Sequence, residues 1–403
     1  MIATTFRFIQ LIFIFWFDVS YYWYWGELHP GRAEIVRRKI QRSGILFIKF
    51  AQWASQYSSV PKVYREEFKH LLTNCDYHPL SSTYGQLPSD VVSKLTINPQ
   101  PIASGSIGQV YRCEYEGRDC VVKVKHPIDS NMINRDIYIV SCVTSILDIR
   151  VFDFKTFVSS ITQQQDMVQE VRNLRTIREN FKDFEEYVVV PEVLEYNNSF
   201  IIETYVDGVT LDQLDESELD AFSVKLALIY IKMMYVDYFI HGDLHPGNII
   251  VTKTKKVGLI DFGLCEKITP LDIEILSNFV QSFVDQDFDR VLRTFKDMGC
   301  DEQSLRDPIL IQKIKALIDL DITSKSKKQS PFDKLPPLID TFNACNTQIE
   351  SRILYLLMNY SIIVPNGEQY FSKAIKKIVS DWELTKHYGY SIQQLIDYYE
   401  VYD

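Results

Sequence analysis

Residues 241–248 read His-Gly-Asp-Leu-His-Pro-Gly-Asn, and Asp261-Phe262-Gly263 begins thirteen residues after Asn248. Transfer of a phosphoryl group from ATP needs one carboxylate near the nucleophile, and an amide oxygen and a second carboxylate that hold Mg²⁺ on the phosphates. Asp243, Asn248 and Asp261 supply these groups. A protein-kinase catalytic loop has its Asp five residues before its Asn, as Asp243 and Asn248 are here. The stretch predicts a kinase-like site with Asp243 as catalytic carboxylate and Asn248 and Asp261 as Mg²⁺ ligands.

The specificity of this signal lies in the combination of the two motifs. Asp-Phe-Gly alone arises often by chance, and the simplest alternative is that both stretches are ordinary turns. The apolar residues Leu259 and Ile260 directly precede the second motif and predict a short strand there. A strand that leads into the second motif favours the kinase-like interpretation.

A lysine and a loop upstream extend the pattern. Lys123 follows two valines at the end of a predicted strand, where a lysine can reach the α- and β-phosphates of ATP. An isolated Val-Val-Lys is more often a solvated strand end, but its place after a loop of small residues favours phosphate binding. That loop, Ala103–Val110, has only two glycines, Gly105 and Gly108. It does not fit the Gly-x-Gly-x-x-Gly pattern of protein kinases.

The order of the predicted elements indicates an α+β, protein-kinase-like two-lobe fold with an N-terminal helical extension. Val110–Tyr115 and Asp119–Val124 predict a hairpin around Glu116-Gly117. Other expected elements are a short helix near Ser89–Leu95, helices over 129–148, 155–180 and Leu219–Phe239, and mainly helices after about residue 270. The expected segments are a hydrophobic aromatic leader (1–30), a helical extension (31–100), an N-lobe (101–207), and a helical C-lobe with a C-terminal extension (208–403).

The leader contains a stretch, Phe6–Trp25, that is almost wholly apolar and aromatic apart from Arg7 and Asp18. A membrane span needs about 20 mostly apolar residues, so the stretch only just qualifies, and Asp18 makes a span costly. Tyr and Trp favour the membrane–water interface. We expect a membrane anchor or interfacial helix, with the following domain on the cytoplasmic or matrix side because basic residues come next. The main alternative is an aromatic helix packed on the domain behind it.

Composition limits the other classes of function. The 403 residues carry 43 Lys and Arg against 53 Asp and Glu, a formal net charge of -10. A general nucleic-acid binder needs a basic surface, so no nucleic-acid partner is expected. The seven cysteines are scattered and form no Cys-x-x-Cys pair, which argues against a zinc ribbon and against a secreted disulfide scaffold.

Four separated stretches resemble the ABC1/ADCK/UbiB family of atypical kinase-like proteins, and ADCK2-like members in particular. They are IASGSIGQVYR at 102–112, VVKVKHP at 121–127, HGDLHPGN at 241–248 and IDFG at 260–263. The family has an alanine-rich loop where kinases have glycines, and 103–106 fits it with two of the three alanines replaced. FIKFAQWAS at 47–55 resembles the family's K-x-G-Q helix, with Ala51 in place of the glycine.

The resemblance implies ATP and Mg²⁺ as ligands and an ATPase or small-molecule or lipid kinase activity. It also implies a role in ubiquinone biosynthesis and membrane association. Lys49 and Gln52 would gate the site, and Glu203 would lie at the adenine edge. The expected nucleotide-binding residues are Ile102, Ala103, Ser104, Gly105, Ser106, Ile107, Gly108, Gln109, Val110, Lys123 and Glu203.

One position departs from the family pattern. The signature E-x-D-x-x-x-E-A-x-N corresponds to residues 164–173, and its first Glu, expected to pair with the strand lysine, is Gln164. An uncharged amide gives a weaker contact than a carboxylate, so Lys123 is expected to lack this partner. We hypothesise that Asp166 or Glu170 compensates in part.

Two other functions remain open at this point. A true protein serine/threonine kinase would need a peptide groove, and no Ala-Pro-Glu motif follows Asp261. A catalytically weak nucleotide-binding scaffold would account for Gln164. Neither the sequence motifs nor the resemblance identifies the physiological substrate.

Overall fold

The computed structural model describes residues 2–25, 29–55, 60–71, 75–127, 130–146, 154–319, 338 and 341. These residues form two compact units. Unit 1 comprises Met1–Val171 and Glu192–Tyr205, and unit 2 comprises Arg172–Pro191 and Val206–Asp403, each taken over its described residues. Of the segment expected to form the helical C-lobe with a C-terminal extension (208–403), residues 320–403 lie outside the described residues apart from 338 and 341.

The described helices and strands are as follows in chain order. The helices are α1 (Ile2–Trp25), α2 (Ala33–Ser43), α3 (Ile45–Ala54), α4 (Lys62–Lys69), α5 (Leu80–Tyr84), α6 (Ser89–Val92), α7 (Ser130–Ile146), α8 (Phe154–Gln164), α9 (Met167–Asn180), α10 (Glu216–Tyr235), α11 (Pro270–Val284), α12 (Phe288–Asp297) and α13 (Pro308–Asp319). The strands are β1 (Leu95–Ser104), β2 (Gly108–Tyr115), β3 (Arg118–Lys125), β4 (Val188–Val189), β5 (Val193–Tyr196), β6 (Phe200–Thr204), β7 (Gly208–Thr210), β8 (Phe239–His241), β9 (Ile249–Thr252), β10 (Val257–Leu259) and β11 (Cys265–Lys267).

The helical extension of unit 1 packs around one small core. Ala33, Val36 and Ile40 recur every three or four residues along α2 and form its buried stripe. They pack with Ala51 of α3 and with residues of α4. Gly44 separates α2 from α3 at a φ of 111°, a conformation that glycine adopts without strain.

The leader forms one helix, α1, as expected. By length and composition, the segment Ala3–Tyr22 could cross a membrane. The core helices of soluble proteins and signal sequences also meet these criteria. One face of α1 packs on unit 1, where Phe15 stacks on Phe47 at a ring distance of 6.2 Å. The expected alternative of a helix packed on its own domain is thus part of the observed structure.

The sheet of unit 1 is antiparallel and has the strand order β1-β2-β3-β6-β5. The expected hairpin is confirmed as β2 and β3, joined by Glu116 and Gly117, which have φ values of 50° and 78°. Two consecutive positive φ values are typical of the two-residue turn that matches strand twist.

The expectation of a loop over Ala103–Val110 is wrong in its extent. Ala103 pairs with Val110 and Ser104 pairs with Gln109, so the strands β1 and β2 continue almost to the tip. Only residues 105–107 form the turn. Gly108 is needed there, because a Cβ atom would lie 2.5 Å from the carbonyl oxygen of Val124 on β3.

Two of the expected helices differ in their bounds. The helix expected over 155–180 is two helices, α8 and α9, which break at Gln165 and Asp166. Asp166 Oδ1 accepts the backbone N–H of Gln169 at 3.0 Å and so caps α9. The helix expected to reach Phe239 ends at Tyr235, because Tyr238 takes a positive φ and Phe239 starts β8.

The described residues of unit 2 form two small sheets and a helical core. The larger sheet has the order β4-β10-β9-β7, and β8 pairs with β11. The expected helices after residue 270 are confirmed as α11, α12 and α13 within the described residues. Phe279 and Phe283 of α11 pack on Phe295 of α12 with ring distances of 6.3 and 6.4 Å.

Candidate functional site

The pairing of four short strands brings the two sequence motifs of unit 2 together. The loop at residues 242–248 runs from β8 to β9, and the loop at 260–264 runs from β10 to β11. Since β8 pairs with β11 and β9 pairs with β10, both loops leave neighbouring strands. Two backbone hydrogen bonds join them, from Gly242 to Leu264 at 2.7 Å and from Ile260 to Asn248 at 3.1 Å.

The side chain of His241 links the same two loops. It is fully buried, and its Nδ1 accepts the backbone N–H of Asp243 at 3.1 Å. Its Nε2 therefore carries the proton, which it donates to the carbonyl oxygen of Ile260 at 3.1 Å. Burial lowers the pKa of His241, so the ring is neutral and both of its nitrogens are committed to positioning the loops.

Asn248 is oriented by the loop that contains Asp243. The side chain of Asn248 is buried, and its Nδ2 donates to the carbonyl oxygen of Asp243 at 2.8 Å. This bond assigns the amide nitrogen, so Oδ1 is the end that can bind a cation. Asp243 itself is partly exposed at the head of the loop, where a carboxylate can meet a substrate.

Asp261 is held in a conformation that side chains rarely adopt. Its φ is +58°, in the left-handed region. The next residue, Phe262, is fully buried and lies 5.3 Å from the His241 ring. Asn173 of α9 donates to the carbonyl oxygen of Phe262 at 2.9 Å. Strain of this kind persists only where the surroundings impose it, and it is concentrated at functional sites.

The donor set of Asn248 and Asp261 fits Mg²⁺, which prefers carboxylate and amide oxygens. Among the described residues, no group of three or more His, Cys, Asp and Glu side chains could hold a metal ion. A cation on Asn248 and Asp261 would therefore complete its coordination with phosphate and water oxygens, which is the usual arrangement for Mg²⁺.

In unit 1, Lys123 has a carboxylate partner. Its Nζ lies 2.7 Å from Glu170 Oε1, and the two side chains are 15% and 4% exposed. Met167 and Val171, on either side of Glu170 in the first turn of α9, pack on Ile201 of β6. Ile201 is directly opposite Lys123 in the pairing of β6 with β3. The packing of α9 on the sheet therefore places Glu170 at the lysine.

The expectation that Lys123 lacks a glutamate partner is thus wrong. Of the two proposed substitutes, Glu170 makes the ion pair and Asp166 caps the helix. Gln164, the residue that departs from the family signature, ends α8, and its buried Oε1 has no hydrogen-bond partner among the described residues.

The small-residue turn rests on a buried polar network that the sequence motifs did not indicate. His126 Nε2 donates to the carbonyl oxygen of Gly105 at 3.0 Å, so its Nδ1 accepts from His78 Nδ1 at 2.8 Å. His78 Nε2 lies 2.9 Å from the hydroxyl oxygen of Thr83. Burial lowers the pKa of His126, and burial together with His126 lowers that of His78 to about 4. Two neutral histidines therefore support the turn.

Several of the expected nucleotide-binding residues point into unit 1. Gln109 is fully buried, and its amide bonds to the backbone N–H and carbonyl of His78 at 2.9 and 3.0 Å. Ser104 is also fully buried, and its hydroxyl lies 3.4 Å from the carbonyl oxygen of Asp76. Ile102, in contrast, is 52% exposed. A nucleotide contact by Gln109 or Ser104 would involve the backbone.

The remaining expected site residues lie on regular elements of unit 1. Gln52 is buried on α3, and its Nε2 donates to the carbonyl oxygen of Leu71 at 2.6 Å. Lys49 is on the same helix, one turn before it, and Ala51 is in the core with α2 and α4. Glu203 lies on β6, opposite Val121 of β3. Their roles as gate and adenine edge stay predictions.

The two loops of unit 2 resemble the catalytic and metal-binding loops of kinases, and the ion pair of unit 1 resembles their lysine–glutamate pair. The ABC1 atypical kinase-like domain matches residues 59–295, which is more than half of the chain. The chain therefore belongs to the ABC1 family of atypical kinase-like proteins, and the expected fold class is confirmed. Membership of the ADCK2-like group stays a prediction.

Two relatives and one solved structure illustrate the range of similar proteins. "Probable serine/threonine-protein kinase abkC" of Dictyostelium discoideum is 30% identical over 55% of this chain and 36% of its own length. A mitochondrial ABC1 family protein of Saccharomyces cerevisiae is 28% identical over 56% of this chain and 41% of its own. The matches thus span less than half of these relatives. A Mycobacterium tuberculosis protein solved with erythromycin is 18% identical, covering 79% of this chain and 91% of its own, with a TM-score of 0.43.

Proposed function

We propose that this chain binds ATP with Mg²⁺ and either hydrolyses it or transfers its γ-phosphoryl group to a membrane lipid or quinone precursor. The observation that carries the proposal is the joining of the two loops of unit 2. His241 ties the loop of Asp243 to the loop of Asp261 through two bonds of 3.1 Å, and the backbone bonds from Gly242 to Leu264 and from Ile260 to Asn248 join the same loops at 2.7 and 3.1 Å. An unconnected pair of turns would need no such arrangement.

Each residue has a defined part in the proposal. Lys123, oriented by Glu170, donates hydrogen bonds to the α- and β-phosphates. Asn248 and Asp261 hold Mg²⁺, which would neutralise charge on the phosphate oxygens. Asp243 accepts the proton of the attacking hydroxyl or water. By the family resemblance Lys49 and Gln52 would gate the site, which favours a small or lipid acceptor over a protein.

The ABC1 family supports this type of chemistry, and the leader supports action near a membrane. The mitochondrial name of the yeast relative fits a domain on the matrix side of a membrane. The acceptor and the role in ubiquinone biosynthesis are expectations from the family resemblance.

The test is ATP turnover by the full chain, with and without anionic vesicles and quinone-precursor phenols. We expect Asp243→Asn to abolish turnover while nucleotide binding is retained. Asp289→Asn makes the same chemical change at an exposed position of α12 and should leave turnover unchanged. Turnover by Asp243→Asn at the wild-type rate would refute the catalytic role of Asp243.

The name of the Dictyostelium relative favours one other candidate, a protein serine/threonine kinase. Incubation with generic peptide substrates and ATP distinguishes the two, since robust peptide phosphorylation would replace the lipid or quinone acceptor with a protein. A scaffold without turnover loses its main support, because Glu170 supplies the charge that Gln164 lacks. The scaffold hypothesis predicts that Asp243→Asn leaves cellular function intact.

A further inference from the structure

The helix α1 has its charged residues on the inside. Arg7, Leu11 and Asp18 recur at intervals of four and seven residues, form one stripe, and are 7%, 8% and 9% exposed. Arg7 and Asp18 are the only charged residues of α1. A surface helix of a soluble domain usually has the opposite pattern, with its apolar stripe inside and its charges in water.

Both charges are held by ion pairs with other elements of unit 1. Arg7 Nε and Nη2 contact the two carboxylate oxygens of Asp136 on α7 at 2.8 and 3.0 Å. Asp18 accepts from Arg32 Nε at 2.8 Å and from Lys39 Nζ at 2.5 Å. Burial would raise the pKa of Asp18, but these bonds lower it below its usual value. The carboxylate is thus ionised and paired.

The outer face of α1 is apolar and aromatic. Its most exposed large side chains are Phe6 (71%), Phe13 (78%), Trp16 (65%), Val19 (61%) and Tyr24 (77%). At about 100° per residue, the side chains from Val19 round to Phe6 cover an arc of roughly 140°. An apolar patch of this kind marks an interaction surface.

We propose that this face of α1 lies in the plane of a lipid bilayer surface, so that the chain binds the membrane without spanning it. Trp and Tyr are the residues that membrane–water interfaces favour. A helix embedded at the acyl boundary is surrounded by lipid over a wide arc, whereas a second protein chain typically covers a narrower strip. The width and the aromatic content of the face therefore favour lipid.

The ion pairs determine the orientation. Arg7 and Asp18 are eleven residues apart, about 16 Å along the helix axis, and both are bound to unit 1. A spanning α1 would draw its partner α2 into the hydrocarbon, where the exposed pair Arg38–Glu34 of α2 (63% and 56% exposed) could not stay hydrated. With α1 parallel to the bilayer, its outer face meets lipid while α2 stays in water.

The inference uses the membrane association proposed above but does not depend on nucleotide chemistry. The first test is flotation of the full chain, without ATP, with vesicles of phosphatidylcholine and a minor fraction of phosphatidylglycerol. Burial of a large apolar side chain contributes about 1.5–3 kcal/mol, so Phe13→Glu and Trp16→Glu should each weaken partitioning by about tenfold or more. Leu271→Glu, at a 63% exposed position of α11, is the matched control and should bind normally.

The second test measures depth. Trp16 fluorescence is obtained as the difference between the wild type and Trp16→Phe, and it is quenched with lipids brominated near the headgroup or near the end of the acyl chain. An in-plane helix predicts stronger quenching by the shallow bromines, and a spanning helix predicts the reverse.

The outcomes are separable from those of the enzyme assay. Unchanged partitioning of both glutamate variants, or stronger quenching by the deep bromines, overturns the proposal. So does a dimer in analytical ultracentrifugation that Trp16→Glu dissociates, if the wild type binds no vesicles, because a second copy then covers the face. If the chain turns over ATP in solution but does not float with vesicles, the proposed membrane-binding role of α1 is refuted and the proposed function is not.

Discussion

The ion pair between Lys123 and Glu170 has energetic consequences that can be worked out from its geometry. At 2.7 Å, two unit charges attract by about 6 kcal/mol at an effective dielectric constant of ~20, before the loss of hydration is subtracted. Glu170 is 4% exposed and Lys123 is 15% exposed. Removing the lysine therefore leaves the more deeply buried charge without its partner.

We expect Lys123→Met to lower the free energy of unfolding by about 3 kcal/mol at neutral pH, within the range for breaking a buried pair. Protonation limits the loss, since neutralising an ordinary glutamate at pH 7 costs about 3.7 kcal/mol. This cost of protonation, which is the upper limit of the destabilisation, falls to about 1 kcal/mol near pH 5. The destabilisation by Lys123→Met should therefore shrink on acidification. Glu170→Gln should cost less, about 1–2 kcal/mol, because the lysine it leaves can reach water.

The assay is urea denaturation of both single variants and the double variant, which together give the coupling energy of the pair. We expect a coupling of about 2 kcal/mol or more for the buried pair. Lys94 and Glu116 form an equally close pair at 2.8 Å, but they are 50% and 55% exposed. Their cycle is the control, and its coupling should not differ measurably from zero. Equal coupling in the two cycles would refute the argument from burial.

Three further predictions concern single features of the fold. Asp261→Gly should remove the strain of a φ of +58° and be about 1 kcal/mol more stable than Asp261→Ala in thermal unfolding, while both lose Mg²⁺-dependent turnover; equal stability would show that the backbone is not strained. Asn173→Ala leaves the buried carbonyl of Phe262 with only the weak thiol donor Cys265, at 3.7 Å, in place of the amide at 2.9 Å. It should cost about 1–3 kcal/mol in chemical denaturation, and a loss near zero would contradict the bond. The pKa values of His78 and His126 are lowered by burial, so the unfolded chain binds protons that the folded chain does not. The free energy of unfolding should therefore be highest above about pH 6.5 and fall towards pH 4. His78→Gln should reduce this dependence of stability on pH, and an unchanged dependence would show that His78 titrates normally.

The chemistry of the candidate site could be predicted from the sequence, because it depends on residue types at short spacings. The five-residue interval from Asp243 to Asn248, the tripeptide at Asp261 and the strand lysine are local patterns. Local patterns also predicted the β2–β3 hairpin, since Glu116-Gly117 suits a turn with positive φ values. The strand β4 has two residues, and β5, β7, β8, β9, β10 and β11 have three or four each, which is too short to show a period.

The choice among partners was decided by tertiary packing. The sequence offered Asp166 and Glu170 as carboxylates for Lys123, but the contact of α9 with Ile201 turned Glu170 to the lysine while Asp166 capped the helix. Gln109 lies in a motif that predicts nucleotide contact, yet the pairing of β1 with β2 turned its side chain into the core.

The leader shows the same division. Its residues alone determined that α1 would be a long aromatic helix with Arg7 and Asp18 on one face, because helical periodicity is a local property. Whether those charges would be solvated, buried in lipid or paired depended on Asp136, which is 129 residues away from Arg7, and on Arg32 and Lys39 of the following segment. Only the folded chain brings such distant charges within hydrogen-bonding distance, and that contact decides that the aromatic face is the one left outside.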